Sequence, residues 1–387
     1  MLFSNGSRNY AGPKQYAEPS YHYLNRSARR EAEIIRSEIE KWFSHYPKSG
    51  RSELLGRFTS PIDLQHTAAA FELYLHELFL KLNYSIAVHP ETLSAKATRP
   101  DFLLEDTNGS RLYVEAVQGT DISLEEQNAQ ARLNVVFDAI NKMHIKDWFL
   151  GISTKNYPET SPSTQKLRQQ IKTWLENLDP DVTIETVKRE GRDAFPKFEY
   201  VDGVWKLEFT AFPRRSKKRS EPHPALGAFF GEARWLSTWQ VVRDRLLEKS
   251  SRYGVLDAPL VVAVNAAVFH LDKIDVMQAL FGEERYLIRP DDPHHEPEMQ
   301  RARNGFWWGP KGPKNTDIPG VMIGANLNPW TYGAHTLICY QNPWTNRDMN
   351  GPIMTLSRRA PIGGQMDLVA GRHPKEILGL PSGYPGL

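Results

Sequence analysis

The sequence predicts an α/β fold, and three observations carry that prediction. Short runs rich in Val, Ile, Leu, Phe and Tyr cluster at 84–89, 101–105 and 111–118 and are followed by segments that read as helix, strand and helix in turn. Flanking segments place apolar residues at steps of three and four, the spacing of a helix with one buried stripe. An Asn108-Gly109 pair between two of the strand-like runs marks a hairpin. Sheet and helices are expected to share one core, as in layered α/β proteins.

Taken in order, residues 1–26 are rich in Gly, Ser, Asn, Pro and Tyr without a period and are expected to be ordered only if they dock. A helix over 27–46 follows, with Ile34, Ile35, Ile39 and Trp42 buried and Arg29, Arg30, Glu31, Glu33 and Glu38 wet. The next helix, 67–82, buries Ala68, Phe71, Leu75, Leu78 and Leu82; Glu72 and His76 lie one turn apart on its flank, facing a cleft. After the three strands, helices are expected at 124–143 and 163–178 with a strand at 148–154 between them. A hairpin at 197–212 turns on Asp202-Gly203, and a basic loop follows. Then come a long helix at 232–252, a buried strand at 260–265, a helix at 273–281 ending on Gly282, and strands at 321–325 and 336–340. The Gly/Pro-rich tail from Ala360 is expected to lie over the surface. Three regions result: an N-terminal arm and helix (1–60), a core (61–190) and a C-terminal α/β region (191–387) that continues the same sheet or forms its own.

Composition bounds the chemistry. The chain has 387 residues, 40% of them hydrophobic, enough for one large core or two moderate ones. With 48 basic and 46 acidic side chains the net charge is +2, so any basic patch must be local. One cysteine, Cys339, excludes an internal disulfide framework and a thiolate metal cluster, and points to a reducing, cytoplasmic setting. No signal-like start and no long apolar run is present, so a soluble protein without a membrane partner is expected.

The strongest chemical signal is the order helix glutamate, then hairpin carboxylates: Glu72, Asp101, Glu115. Side chains alternate along a strand, so the turn decides whether the two strand carboxylates meet. A three-residue loop with Gly109 left-handed pairs Asp106 with Ser110 and sets Asp101 opposite Glu115; a two-residue Asn108-Gly109 loop sets Phe102 there instead. In the first register Asp101 and Glu115 would hold Mg²⁺ or Mn²⁺, with the carbonyl of Ala116 as a third oxygen, and Glu72 would orient a water.

This stretch resembles the core of the PD-(D/E)XK nuclease superfamily. Pro100-Asp101 matches its PD element, Glu115-Ala116-Val117 occupies its (D/E)XK position, and Phe71-Glu72 ahead of Asn83-Tyr84 is similar to its first-helix glutamate. The match covers about residues 65–155. The resemblance implies a restriction-endonuclease-like αβββαβ core with a mixed sheet and divalent-metal-dependent cleavage of DNA, or of RNA, in a restriction or defence role. It also implies a lysine where Val117 stands. Gln118 is one residue too far along, and Lys142, Lys146 and Lys155 are the available substitutes, of which Lys155 and Lys142 are taken as the stand-ins. Nucleic-acid contacts are expected from Gln118, Gln127 and Gln130, and from the loop Arg214, Arg215, Lys217, Lys218 and Arg219. The alternative reading is a domain that has lost cleavage and now grips nucleic acid, a protein partner or a second copy of itself. His294, His295 and Glu296 sit in a Pro-rich stretch that reads as an exposed loop, and Trp307, Trp308, Trp330 and Trp344 read as packing for a second core.

Overall fold

The computed structural model describes residues 1–92, 98–154, 160–219, 221, 223–230, 237–268, 270–287, 296 and 298–386. The chain forms two compact units, one of Met1–Gly12, Pro19–Asp121 and Leu236–Leu387, the other of Pro13–Glu18 and Ile122–Trp235. This division replaces the expected boundary at 190/191. Residues 122–235 are an insertion, and the chain returns to the first unit afterwards.

The first unit begins with α1 (Ser20–Arg26), α2 (Arg30–His45), α3 (Arg51–Phe58) and α4 (Asp63–Lys81), then β1 (Ser85–Val88), β2 (Phe102–Glu105) and β3 (Arg111–Thr120). The second unit supplies α5 (Leu124–Asn141), β4 (Trp148–Thr154), α6 (Thr164–Glu176), α7 (Pro180–Glu190), β5 (Lys197–Asp202), β6 (Trp205–Pro213) and β7 (Leu226–Phe230). The first unit then resumes with α8 (Thr238–Ser250), β8 (Leu260–Ala267), α9 (Lys273–Phe281), β9 (Glu284–Leu287), β10 (Glu298–Arg301), β11 (Trp308–Gly309) and β12 (Gly312–Pro313). It ends with β13 (Gly320–Ala325), β14 (Leu337–Gln341), β15 (Arg358–Ile362), β16 (Gln365–Val369) and α10 (Pro374–Leu378).

Among the described residues the first unit holds an eight-stranded mixed sheet ordered β1-β2-β3-β8-β13-β14-β15-β16. β3, β8 and β13 run parallel at its centre. Parallel strands need a crossover, and α8 supplies it between β3 and β8. The near-unbroken apolar run of β8, LVVAVNAA, follows from burial on both faces.

Side-chain alternation sorts the two faces. Phe102, Leu104, Leu112, Val114, Val261 and Ala263 join the core beneath α2 and α4, whereas Tyr113, Val117, Val262 and Val264 join the core beneath α8 and α9. On α4, Leu75 and Leu78 are fully buried, each contributing about 1.5–3 kcal/mol over exposure. Gly282 ends α9 with φ 108°, and a Cβ there would overlap the carbonyl of Ala302, so glycine is required.

The condition set for an ordered N-terminal arm is met, and two other expectations are corrected in this unit. The N-terminal arm is docked: Leu2 and Phe3 are buried, and Arg8 donates to the carbonyls of Asn25 and Ser4. The tail from Ala360 is not draped over the surface; β15 and β16 pair as a hairpin and complete the sheet. The tryptophans do pack, but not as a separate core: Trp307 is fully buried in the core beneath α8 and α9 with Trp344, on which Trp308 stacks at 5.1 Å, whereas Trp330 packs against the core beneath α2 and α4.

In the second unit a four-stranded sheet ordered β5-β6-β4-β7 packs its apolar side chains against α5 and α6. Leu133, Phe137, Leu167, Ile171, Trp148 and Leu207 form the centre of that core. Across the described residues no helix is long and apolar enough to cross a membrane.

Candidate functional site

The turn between β2 and β3 takes the three-residue form. Asp106 N donates to the carbonyl of Ser110 at 3.0 Å, and Gly109 sits at φ 77°. The Asp106 carboxylate also accepts from the amides of Asn108 at 2.8 Å and Ser110 at 2.9 Å, fixing the turn from within. Pairing then runs Glu105 with Arg111 back to Phe102 with Val114. One residue further, Asp101 Oδ2 accepts from the amide of Ala116 at 2.7 Å, beside Glu115. The two-residue alternative, with Phe102 opposite Glu115, does not occur. Glu115 shares its face with Tyr113 and Val117, the face covered by α8.

Glu115 is 3% exposed, and its Oε1 accepts from Lys249 Nζ on α8 at 2.5 Å. Its Oε2 is buried and has no hydrogen-bond partner among the described residues. The Tyr253 phenol lies next to it and is pushed up by burial and then by the charge of Glu115. Burial, then the charges of Glu115 and Glu72, hold the carboxyl of Asp101 well above the usual range; the Ala116 amide and Lys249 pull the other way. Backbone hydrogen bonding also fixes Asp101, whose carbonyl accepts from His89 N at 2.9 Å.

Glu72 reaches this group from α4 but is already engaged. It accepts from Tyr46 Oη at 2.6 Å and from Arg57 Nη2 at 2.7 Å, and is 2% exposed. His76, one turn on, does not join the site: it is buried against the rings of Tyr46 and Phe102, and burial pushes its imidazole down to about 4. Burial opposes the charge of Arg57, yet Glu72, Glu53 and Asp101 outweigh it and its guanidinium is held above the ordinary range.

Val117 is 7% exposed and belongs to the apolar cluster beneath α8, so a lysine there would bury its ammonium among hydrocarbon. The cation that meets Glu115 is Lys249, on the covering helix. Sequence reasoning overlooked Lys249 because it assigned α5 and β4 to the sheet that holds Glu115; the partner of β3 is β8, and the helix before β8 is α8. A signal was present in LVVAVN, since so apolar a strand implies a parallel central position and hence a crossover helix just before it. Arg57, Tyr46 and Tyr253 carried no comparable signal.

The other expected residues fall elsewhere. Lys142 is the C-cap of α5 in the second unit, whereas Asp101 and Glu115 belong to the first; Lys155 lies outside the described residues, as do His294 and His295. Gln118 points to the opposite sheet face from Glu115, where it accepts from Asn265 Nδ2 at 2.9 Å. Gln127 donates to the carbonyl of Ile122 and Gln130 to Asn134 within α5. The basic loop is only partly available. Arg214 is 5% exposed and donates to the carbonyls of Lys146 and Glu221, and Arg219 is paired with Asp181 at 2.7 Å, so both hold structure. Arg215, Lys217 and Lys218 remain exposed, with Lys218 3.3 Å from Glu221.

Among the described residues no group of three or more His, Cys, Asp or Glu side chains is arranged to hold a metal ion. Asp101 and Glu115 nevertheless fit a divalent cation in two respects: Oε2 of Glu115 is buried without a partner, and the two carboxylates repel each other. Comparison of the chain with protein-family models, with curated proteins and with solved structures found no match.

Proposed function

We propose that Asp101, Glu115 and Lys249 form a phosphodiester-hydrolysing centre of the PD-(D/E)XK type, with its lysine moved from strand to helix, and that DNA is the substrate. A single observation carries this reading: an ammonium 2.5 Å from the second carboxylate of the motif, delivered by the crossover helix that covers the strand face where the motif lysine would stand. The order α4-β1-β2-β3-α8-β8 is then the αβββαβ core, interrupted by the second unit.

Asp101, Glu115 and the carbonyl of Ala116 would hold Mg²⁺ or Mn²⁺. When bound, such an ion neutralises charge on the phosphate and lowers the pKa of an attacking water. Lys249 places a positive charge beside the centre, where negative charge builds on the phosphoryl oxygens as the bond to water forms and the bond to the leaving sugar oxygen breaks. Glu72, clamped by Arg57 and Tyr46, sets the charge felt by Asp101 from the helix side. In this arrangement Glu72 positions, and the strand carboxylates act.

Incubation of the full chain with plasmid, single-stranded DNA and RNA, with Mg²⁺, Mn²⁺ or EDTA, tests the proposal. Cleavage that requires the cation and is lost in Asp101→Asn is expected. No cleavage of any of the three under any cation would leave the carboxylate pair a structural or binding feature.

A further inference from the structure

We infer that the second unit carries a separate binding groove for the sugar-phosphate backbone of a polynucleotide. The groove, of about 580 Å³, lies between the C-terminal end of α5 and α6 and is lined by Lys142, Lys146, Gln165, Arg168, Gln169 and Lys172. On α6 the residues Gln165, Arg168, Gln169 and Lys172 fall at steps of three and four and so form one face, while Leu167 and Ile171 turn away from it into the core.

Charge accounting within the groove singles out three cations. Glu176 lies 3.8 Å from Lys172, and Asp147 lies 4.0 Å from Arg219, so each lining carboxylate already faces a cation. Among the described residues no carboxylate pairs with Lys142, Lys146 or Arg168. The rim is extended by the basic loop, which is anchored there: Arg214 N donates to the carbonyl of Asp147 at 2.8 Å and Arg214 Nη1 to that of Lys146 at 3.0 Å. Arg215 and Lys217 are exposed immediately beyond. A polynucleotide offers one anionic phosphate per nucleotide to such a row, with sugar and base edges for the amides of Gln165 and Gln169, and the arginine fork suits phosphate oxygens.

This inference extends the proposed function by giving the substrate a second hold, but its test needs no cleavage. Fluorescence anisotropy on the full chain in EDTA, from 50 to 300 mM salt, compares a labelled duplex DNA, single-stranded DNA and RNA of one sequence, with a polyglutamate peptide as competitor. The parent should bind at least one polynucleotide with a steep salt dependence. In K142Q/K146Q/R168Q the slope of log K against log salt should flatten by about 2 to 3, with affinity at 0.1 M salt lower by roughly 100- to 500-fold. The milder K142Q/K146Q, which keeps Arg168 and its bond to the carbonyl of Thr164, should show about two-thirds of that change in slope. Which arm responds identifies DNA or RNA. An unchanged slope in both variants, a parent that binds none of the three, or polyglutamate competing as well as polynucleotide would overturn the inference. None of these results depends on Asp101, so failure here is distinguishable from failure of the hydrolytic centre.

Discussion

Replacing Lys249 by Met removes the ammonium 2.5 Å from Glu115, which leaves that carboxylate buried with only the Tyr253 phenol beside it. Side-chain exposures of 16% for Lys249 and 3% for Glu115 make this a buried pair with limited solvent on one side. Breaking such a pair from one end costs about 3–5 kcal/mol, and the partial exposure of Lys249 argues for the lower end, about 3 kcal/mol. Because two units complicate a single unfolding transition, hydrogen exchange of the β3 and β8 amides is the suitable assay; it reads the first unit alone. K249M should exchange roughly a hundredfold faster there than the parent. Removing both charges in E115Q/K249M should recover most of that loss, since neither charge is then stranded. Metal-dependent cleavage by K249M should fall about 10²- to 10³-fold. Exchange within threefold of the parent, together with no recovery in the double variant, would refute the claim that this pair is buried and coupled.

Asp101→Asn tests the electrostatic side. The folded carboxyl is held above its unfolded value by burial, Glu115 and Glu72, so its contribution to stability is present below the unfolded pKa and is lost as pH rises through the folded one. The Asn variant should therefore be more stable than the parent at pH 8 and lose that advantage below about pH 4; parallel pH profiles would contradict this. His76 works in the opposite sense: with its imidazole pushed down from 6.5 to about 4, stability present above pH 6.5 is lost as pH falls toward 4, by up to about 3 kcal/mol, and His76→Leu should flatten that acid limb in urea titrations. Gly109→Ala adds a Cβ that meets nothing within 4 Å, so φ 77° alone sets its cost, about 1–2 kcal/mol by hydrogen exchange in β2 and β3, with Gly109→Asn cheaper. Arg57→Met leaves Glu72 with only the Tyr46 hydroxyl and should cost about 2–3 kcal/mol, largely restored by adding Glu72→Gln; no restoration would show that Arg57 acts through packing.

What the sequence disclosed and what it withheld follow from how far each feature reaches along the chain. The β2–β3 turn was readable, and its register narrowed to two choices, because Asp106, Asn108, Gly109 and Ser110 are neighbours and turn chemistry is local. Helix α4 was readable from its apolar spacing, and Gly282 marked the end of α9. The insertion left no such trace. Its α5 and β4 have ordinary periodicities, and nothing local tells them apart from continuations of the sheet that contains β3. Arg214 shows the same limit on a smaller scale: five basic residues in six positions read as a solvated loop, yet two of them turned inward to carbonyls and a carboxylate. The β15–β16 hairpin was obscured by the glycines and prolines that make its turn and edge, Gly363 and Gly364 both holding positive φ.

The separation of 134 positions between Glu115 and Lys249 also imposes an order in time. A ribosome adding about 5–20 residues per second makes the acidic strand roughly 7 to 27 seconds before the lysine that answers it. A nascent or truncated chain ending before α8 would carry both Asp101 and Glu115, yet neither the counter-ion nor the central strand β8. On the proposed reading, any toxicity of a DNA-cutting product is deferred until translation is well past its midpoint.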